Sequence, residues 1–288
     1  MSKLDINGLS EKQFLANYNP GDYPLPSVAV DNVIFTVADV SKNNYRKLSE
    51  KELRILLIKR GGHPYIGQWA LPGGFVRPDE TVGEAANREL IEETGVQGGH
   101  LEQLYTFSKP GRDPRAWVIS CGHMALINGK ELILQAGSDA DDAKWFAVKM
   151  ENAAEHINLF LSNGNINLSA IVLPKSNGME FQITENNGLA FDHAEIIVCA
   201  ITRMQSKLEY TDLALSLMPD KFTLTELQQV YESILGKSLF KAAFRRKIID
   251  IVQETDQYTS EKGHRPAKLY TKKRIEGAEN ENSDIGKL

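Results

Sequence analysis

Three glutamates in one short segment are the residues best suited to chemistry. Glu89, Glu92 and Glu93 stand at positions i, i+3 and i+4, so on a helix over residues 81–94 their carboxylates share one face. Like charges this close repel one another unless a cation joins them. Hard oxygen ligands suit Mg²⁺ or Mn²⁺, which can bridge to a diphosphate. The pattern indicates a divalent metal site, although three glutamates taken alone are also typical of a solvated acidic helix face.

The residues around the glutamates predict the helix that positions them. Thr81 is a residue type that caps helices and Gly95 is one that ends them, so a helix is expected between the two. Arg88 lies one helical turn from both Glu84 and Glu92. It is expected to pair with one of them and so to hold the acidic cluster in orientation.

The whole segment 74–96 resembles the signature of a known family. It matches G-x5-E-x7-R-E-U-x-E-E-x-G-U, where U is a bulky aliphatic residue, at Gly74, Glu80, Arg88, Glu89, Leu90, Glu92, Glu93, Gly95 and Val96. This spacing is similar to the Nudix box of the Nudix hydrolases, which cleave nucleoside diphosphates linked to another group. The resemblance implies Mg²⁺ or Mn²⁺ as cofactor, held by Gly74, Glu89, Glu92 and Glu93, with the three glutamates and Arg88 as the catalytic residues.

A basic loop, Lys109–Arg115, follows a strand that ends at Phe107. It carries three cations around two prolines, and Arg112 or Arg115 could bind phosphate oxygens through paired hydrogen bonds. The alternative is an ordinary exposed turn that Asp113 caps locally. A Tyr-Thr-Phe strand followed by Gly-Arg-Asp-Pro-Arg resembles the ADP-ribose-related branch of the Nudix superfamily, which favours the diphosphate clamp.

Three further residues are considered for contact with a ligand. Arg60 ends a strand and is a candidate for a phosphate contact, with surface solvation as the alternative. The rings of Phe107 and Trp117 could stack on a base, but packing in the core is favoured for both. The predicted substrate-binding residues are Arg60, Phe107, Arg112 and Arg115.

The remaining pattern predicts an α/β fold. Strands are expected at Ser27–Val37, Leu53–Arg60, Trp69–Val76, Gln103–Phe107, Trp117–Leu126 and Ala143–Val148. The turn Pro72–Gly74 lets the backbone approach a metal closely. A second helix is expected to begin at Asp192, with Glu195 completing the cap, and to run to about Lys207. Together these elements predict an α/β/α sandwich with a mixed sheet, the fold that the Nudix resemblance also implies.

Residues 150–190 are interpreted as an insertion in this domain. Asn, Gly and Ser punctuate them, and Leu168–Leu173 and Met179–Thr184 could form a hairpin. Such an insertion could reshape the ligand pocket or a dimer interface.

The C-terminal part predicts two helices joined by a tight turn. Thr223 begins a capping box for a helix over about Thr225–Leu235, which ends at Gly236. Ser238 is expected to cap a second helix, from Leu239 to about Val252. Two helices in this arrangement form a helix-turn-helix pattern.

A basic hairpin is expected to follow, from Gln257–Ser260 and Pro266–Tyr270, joined by a turn at Glu261–His264. Residues 236–275 carry 11 Lys and Arg against 4 Asp and Glu, whereas residues 1–235 carry 21 against 30. A basic module on an acidic body is typical of nucleic-acid contact. A cationic second helix and a basic hairpin predict a winged helix on double-stranded DNA; a charged accessory domain for dimerisation is the alternative. The predicted DNA-binding residues are Lys241, Arg245, Arg246, Lys247, Arg265 and Lys268.

From about Phe14 to Lys273 the order of motifs resembles the Nudix-related transcriptional regulators. The motifs are Pro26–Asp31, the Arg-Asp-Pro-Arg loop, Phe191–Ile196, Lys207–Thr211, Phe244–Lys247 and Gly263–Ala267. In the best-studied branch of this family the protein senses ADP-ribose and controls NAD genes. Ala243 departs from the family, since many relatives carry Asn there. Many relatives also have a degraded Nudix box, whereas this one is complete, so we expect catalysis to be retained.

The resemblance implies two functions. The first is Mg²⁺-dependent hydrolysis of ADP-ribose, or of a related nucleoside diphosphate linked to a sugar; ADP-ribose would yield AMP and ribose 5-phosphate. The second is DNA-binding repression, in which the ligand shifts the relative placement of two winged helices in a homodimer. The alternative is a non-catalytic sensor of ADP-ribose or a sugar that controls NAD or sugar metabolism genes.

Bulk properties are those of a soluble globular protein. No apolar run approaches the roughly 18 residues that span a membrane, and the first twenty residues show no secretory signal. Cys121 and Cys199 lie in apolar stretches, which favours buried reduced thiols in a cytoplasmic protein. The expected organisation is an N-terminal arm (1–24), a Nudix domain (25–207), a winged-helix domain (208–275) and a disordered tail (276–288).

Overall fold

The computed structural model describes residues 3–40, 50–96, 99–129, 140–175, 180–259 and 266–273. Its strands are β1 (Ser27–Val40), β2 (Glu50–Arg60), β3 (Trp69–Ala70), β4 (Gly73–Phe75), β5 (His100–Phe107), β6 (Val118–Leu126), β7 (Ala140–Asn152), β8 (Ile157–Asn163), β9 (Ile166–Pro174), β10 (Phe181–Asn187), β11 (Val252–Tyr258) and β12 (Lys268–Lys272). Its helices are α1 (Glu11–Asn17), α2 (Val82–Thr94), α3 (His193–Lys207), α4 (Leu224–Leu235) and α5 (Lys241–Ile248). The predicted tail, 276–288, lies outside the described residues.

The first ten strands form one mixed sheet. Its order is β10-β9-β8-β7-β2-β1-β6-β5, with β3 paired to β2 and β4 paired to β1. Strands β1 and β6 are parallel, and the other pairs are antiparallel. The pairing of β4 with β1 sets Gly74 opposite Val30, which places the start of the Nudix box beside the centre of the sheet.

Helices α2 and α3 cover opposite faces of this sheet. Successive side chains of a strand point to opposite faces, and β1 shows the consequence. Ile34 packs in one cluster with Leu90 of α2, whereas Phe35 packs in another with Ile197 of α3. The predicted α/β/α sandwich with a mixed sheet is therefore confirmed.

Strands β8, β9 and β10 occupy the segment interpreted as an insertion. The expected hairpin is present, because β9 and β10 pair antiparallel, although Met179 lies outside the described residues. These strands continue the sheet beyond β7. The segment thus extends the sheet of the Nudix domain.

In the C-terminal part, α4 agrees with the prediction and α5 is shorter than predicted. Thr223 caps α4 through a capping box, and Gly236 ends it at φ +66°. The next helix was expected at Leu239–Val252 with Ser238 as its cap, but it begins at Lys241 and ends at Ile248. Leu239 stays outside the helix because side chains of α4 bind its backbone: its N–H donates to Glu232 and its carbonyl accepts from Gln228.

The predicted wing is present as an antiparallel hairpin of β11 and β12. It begins earlier than predicted, at Val252, because this side chain is buried in the core and its backbone pairs with Lys272. Phe222 joins the hairpin through two backbone hydrogen bonds with Tyr270. One hydrophobic cluster extends from the large sheet through α3 to α4, α5 and Val252, so the winged helix packs directly against the Nudix domain.

Neither cysteine forms a disulfide. Cys199 is buried in α3 and Cys121 is half-buried, so burial agrees with the expectation fully for Cys199 and partly for Cys121. Burial raises the pKa of the Cys199 thiol to about 11, which keeps it protonated and inert near neutral pH.

The described part of the N-terminal arm carries α1, which buries no side chain, and a 3-10 turn at Pro20–Asp22. None of the helices in the described ranges is long and apolar enough to cross a lipid bilayer.

Candidate functional site

Helix α2 begins and ends where the sequence predicts. The Thr81 hydroxyl accepts a hydrogen bond from the Glu84 N–H, and the Glu84 carboxylate accepts one from the Thr81 N–H. Gly95 ends the helix in the left-handed conformation, at φ +69°. Since Glu84 is used in the cap, it is not the partner of Arg88, and that alternative is wrong.

Arg88 binds three carboxylates of the Nudix box. Its Nη2 and Nε donate to Glu80 at 2.8 and 3.0 Å. Its Nη1 lies 2.5 Å from Glu89 Oε1 and 3.5 Å from Glu92 Oε2. The hydrogen bonds from Arg88 lower the pKa of Glu80 to about 2. Glu92 is thus a distant partner and Glu80, eight residues before Arg88, is the main one. The guanidinium is held rigidly beside Glu89.

The three predicted metal ligands differ in exposure. Glu89 and Glu93 are 9% and 6% exposed, whereas the Glu92 side chain is 51% exposed. A uniformly solvated acidic face is therefore excluded, since two of the three carboxylates are buried. Among the residues that the structure describes, no three acidic, histidine or cysteine side chains converge as a closed set of metal ligands. Arg88 Nη1 lies beside two of the predicted ligands, Glu89 and Glu92.

Gly74 is part of both the Nudix box and the lining of a cavity. A Cβ at this position would lie 2.2 Å from Glu89 Oε1, so only glycine allows that carboxylate to lie against the backbone of β4. Gly74 lines a cavity of about 650 Å³. Other residues of its lining are Asp31, Arg60, Phe75, Arg112, Arg115 and Phe191. The structure therefore brings three of the four predicted substrate-binding residues to one cavity beside the predicted metal site.

Arg112 is bound to the protein itself. Its side chain is only 6% exposed, and it donates to Asp192 at 2.7 and 2.9 Å and to Asp31 at 3.1 Å. Burial opposes its charge, but the two carboxylates raise the pKa of Arg112. Asp192 precedes α3 but does not form the predicted side-chain cap, because its carboxylate accepts from Arg112. Glu195 does not complete the cap either, since its carboxylate accepts from the Ile183 N–H. Arg112 thus joins the basic loop to β1 and α3, and its contact with a phosphate stays a prediction.

Arg115, from the basic loop, and Arg60, from the end of β2, reach the same cavity. Arg115 is half-exposed and forms a two-point ion pair with Asp113. The expected local cap by Asp113 is also present, since Asp113 accepts from the Arg115 N–H. Arg60 donates to the Pro64 carbonyl at 2.7 Å. Both guanidinium groups lie near the ring of Phe191.

The two aromatic candidates differ from each other. Phe107 is buried in the core cluster and its ring packs edge-on against Tyr105 at 5.4 Å. It lines a separate cavity of about 300 Å³, so it packs in the core and does not form a wall of the main cavity. Trp117 is 51% exposed, and the core packing expected for it is wrong.

Sequence reasoning missed three residues of the site. Asp31 accepts from Arg112 and, at 2.6 Å, from the Ser120 hydroxyl. His193 accepts from the Leu71 N–H at 2.8 Å. Phe191, His193 and Asp31 all line the cavity. They lie within the motifs Pro26–Asp31 and Phe191–Ile196, which pointed to the family, but no local pattern indicates that these segments meet.

The four predicted DNA-binding residues of α5 are all exposed. Lys241, Arg245, Arg246 and Lys247 are exposed, while Phe244 and Ile248 of the same helix are buried. Three of these cations stand in the last turn, where positive charge suits the helix dipole. On the wing, Lys268 pairs with Glu254 at 2.7 Å. Arg265 lies outside the described residues.

Comparison with protein-family models matches both parts of the chain. A NUDIX domain matches residues 47–160, and an NrtR DNA-binding winged helix domain matches residues 214–271. Among curated proteins, the ADPR responsive transcriptional repressor NtrR of Acinetobacter baylyi is 38% identical over 271 residues, covering 93% of this chain and 90% of that protein. The ADP-ribose pyrophosphatase of Methanocaldococcus jannaschii is 44% identical over 124 residues, covering 43% of this chain and 63% of that protein.

Solved structures agree with these matches over both parts of the chain. A MutT/nudix family protein from Enterococcus faecalis is 32% identical with a TM-score of 0.69, covering 92% of this chain and 94% of that one. Shewanella oneidensis NrtR, crystallised in complex with a 27mer DNA, is 29% identical with a TM-score of 0.59, covering 85% of this chain and 93% of that one. The chain belongs to the family in which a Nudix domain is joined to an NrtR DNA-binding winged helix domain.

Proposed function

We propose that this protein is a DNA-binding transcriptional regulator whose Nudix cavity binds ADP-ribose, or a related nucleoside diphosphate linked to a sugar, and hydrolyses it with Mg²⁺ or Mn²⁺. The observation that carries the catalytic part is the position of Glu89, which lies against Gly74 on the cavity lining within a complete Nudix box. The names of the Acinetobacter repressor and the Methanocaldococcus pyrophosphatase support ADP-ribose as the ligand class.

The residues at the box fit a hard divalent cation. Their donors are carboxylate and backbone oxygens, the ligands that Mg²⁺ and Mn²⁺ prefer, and the missing Cβ of Gly74 leaves its backbone open to the carboxylate of Glu89. Glu89, Glu92, Glu93 and the carbonyl of Gly74 would hold the metal. When bound, such a cation neutralises charge on a diphosphate and assists ionisation of the attacking water.

Residues of this chain bind the diphosphate and accept the proton of the attacking water. Arg60 and Arg115 bind the diphosphate, since planar guanidinium groups match phosphate oxygens. Arg112 holds the loop that carries Arg115 in place through Asp31 and Asp192. A carboxylate of the box accepts the proton of the attacking water, the water oxygen bonds to phosphorus, and the bridging oxygen leaves. ADP-ribose then yields AMP and ribose 5-phosphate.

The regulatory part rests on the exposed cations of α5. Arg245 and Arg246 would contact phosphates or base edges in the major groove, with the wing on the backbone. In a homodimer, two such helices read an operator whose symmetry mirrors that of the protein. Because the winged helix packs against α3 through a common core, and α3 begins at the cavity, ligand occupancy can bias the placement of the two winged helices.

The catalytic proposal is tested by turnover of ADP-ribose with Mg²⁺. Glu93→Gln is expected to lower the rate by about 100-fold or more, as loss of a proton acceptor or metal ligand does, with an unchanged circular dichroism spectrum. Glu84→Gln is the matched control, because glutamine also completes the capping box with Thr81. If the wild type hydrolyses none of a panel of NDP-linked substrates above a metal-free blank, the protein is the non-catalytic ADP-ribose or sugar sensor.

A further inference from the structure

Two aromatic rings and two arginines alternate along one wall of the main cavity. The Arg115 Cζ lies 5.5 Å from the ring centroid of Phe75 and 5.8 Å from that of Phe191. The Arg60 Cζ lies 5.0 Å from the centroid of Phe191. We call these four residues the aromatic–arginine stack. They come from β2, β4, the basic loop and the turn before α3, and all of them line the cavity.

Phe191 holds an unusual backbone conformation at the centre of this stack. Its φ is +50°, and Tyr65, whose ring lies 4.7 Å away, has a φ of +62°. Positive φ is rare for bulky residues and is unfavourable for them. Such conformations persist only where the surroundings fix them, and they cluster at ligand sites. The strained turn at Phe191 thus sets the ring between the two arginines.

The ring of Phe191 lines the cavity and also contacts several protein groups. Besides Arg60, Arg115 and Tyr65, the imidazole of His193 lies 5.2 Å from its centroid. Four protein groups thus lie within 6 Å of the ring centroid, and two of them are guanidinium groups. The ring attracts the two guanidinium groups to its aromatic face. The arginine side chains lose conformational freedom when they are held there.

We propose that Phe191, assisted by Phe75, is a positioning residue that holds Arg60 and Arg115 as a pair for the two phosphates of a diphosphate, and so determines selectivity for diphosphate-linked ligands over monophosphates. This inference rests on the proposed function of the cavity. Arginines fixed before binding cost less entropy when the ligand arrives. A ligand with one phosphate uses one of them and gains less from the arrangement.

The test compares Phe191→Leu with Phe191→Tyr by calorimetric titration in the presence of EDTA, which prevents hydrolysis. Both substitutions keep a side chain at positive φ, so they carry the same backbone strain, but only tyrosine keeps the ring. Phe191→Leu is expected to weaken ADP-ribose binding about tenfold, equivalent to about 1.4 kcal/mol, while AMP binding changes less than threefold. Phe191→Tyr should restore ADP-ribose binding to within about threefold of wild type. Phe160→Leu, at an exposed side chain of β8 outside the cavity, is the control and should change neither affinity.

Inorganic pyrophosphate and orthophosphate distinguish this inference from the proposed function. If the wild type binds pyrophosphate in a Phe191-dependent manner but not ADP-ribose, the positioning role stands and the ligand assignment fails. If Phe191→Leu binds ADP-ribose and pyrophosphate as tightly as wild type, or loses monophosphates to the same extent, the inference is overturned. Should Phe191→Leu fail to fold, Phe75→Leu serves instead, because Phe75 is half-exposed; it should weaken ADP-ribose about threefold and leave AMP unchanged.

Discussion

Arg112 and Asp192 are joined by two hydrogen bonds, at 2.7 and 2.9 Å. This pair binds the basic loop to the start of α3, and the same guanidinium reaches Asp31 on β1. The arginine that the sequence presents as a ligand contact is therefore the centre of a buried ion network. The network fixes the loop from which Arg115 enters the cavity.

We expect Arg112→Ala to destabilise the protein by about 3 kcal/mol, because it leaves Asp31 and Asp192 with uncompensated buried charge. Lys149→Ala is the matched control, since its exposed ion pair with Glu151 is worth less than about 1 kcal/mol. Urea unfolding monitored by fluorescence measures both. Equal losses of unfolding free energy in the two variants would show that the ion network of Arg112 does not stabilise the fold.

Gly74→Ala should impair hydrolysis, because the added Cβ would lie 2.2 Å from Glu89 Oε1 and must displace that carboxylate. A displacement of this size at a catalytic group costs about 100-fold in rate. Gly62→Ala is the control: Gly62 also lines the cavity, but a Cβ there meets no atom within 4 Å. Initial rates with ADP-ribose compare the two, and a fully active Gly74→Ala enzyme would contradict the placement of Glu89.

His193 should make stability depend on pH. Burial lowers the pKa of His193, and its Nδ1 already accepts from the Leu71 N–H, so a proton there would break that bond. The unfolded pKa is about 6.5. Because the folded pKa lies below the unfolded pKa, the free energy of unfolding is greatest above the unfolded pKa. It decreases as the pH falls below that unfolded pKa. The free energy of unfolding should therefore drop between pH 7 and pH 5.5.

The matched variants for this pH effect are His193→Gln and His156→Gln. His193→Gln should reduce the pH dependence measured by urea unfolding, whereas His156→Gln should retain it in full. An unchanged pH dependence in His193→Gln would rule out the assignment.

The sequence predicts those features of the site that depend only on residues close together in the chain. The capping box of Thr81 and the end at Gly95 depend on residues within one helix, so both were predictable. Arg112 and Asp192 are 80 residues apart, and no local signal shows that a charged partner competes for the carboxylate expected to cap α3. The positive φ of Phe191 is likewise imposed by tertiary neighbours. Tertiary contacts also keep Leu239 out of the helix that the sequence predicts, because side chains of α4 bind its backbone.

Binding to DNA from the gene's own promoter region should weaken in Arg245→Ala plus Arg246→Ala. Each lost phosphate contact removes about 0.9 from the slope of log K against log salt, so the double variant should bind less tightly and with a slope smaller by up to about 1.8. Lys149→Ala, an exposed cation of β7, is the control. Filter binding across a salt series measures both, and unchanged retention of the double variant would refute the winged-helix assignment.

The central claim is that a divalent cation is held at Glu89, Glu92 and Glu93 beside the diphosphate. Electron paramagnetic resonance titration with Mn²⁺, in the presence of a non-hydrolysable methylene analogue of ADP-ribose, measures this directly. We predict that Glu89→Gln and Glu93→Gln each weaken Mn²⁺ binding by at least about tenfold, whereas Glu84→Gln, on the same helix, binds as tightly as wild type. Equal Mn²⁺ affinity in all four proteins would contradict the account.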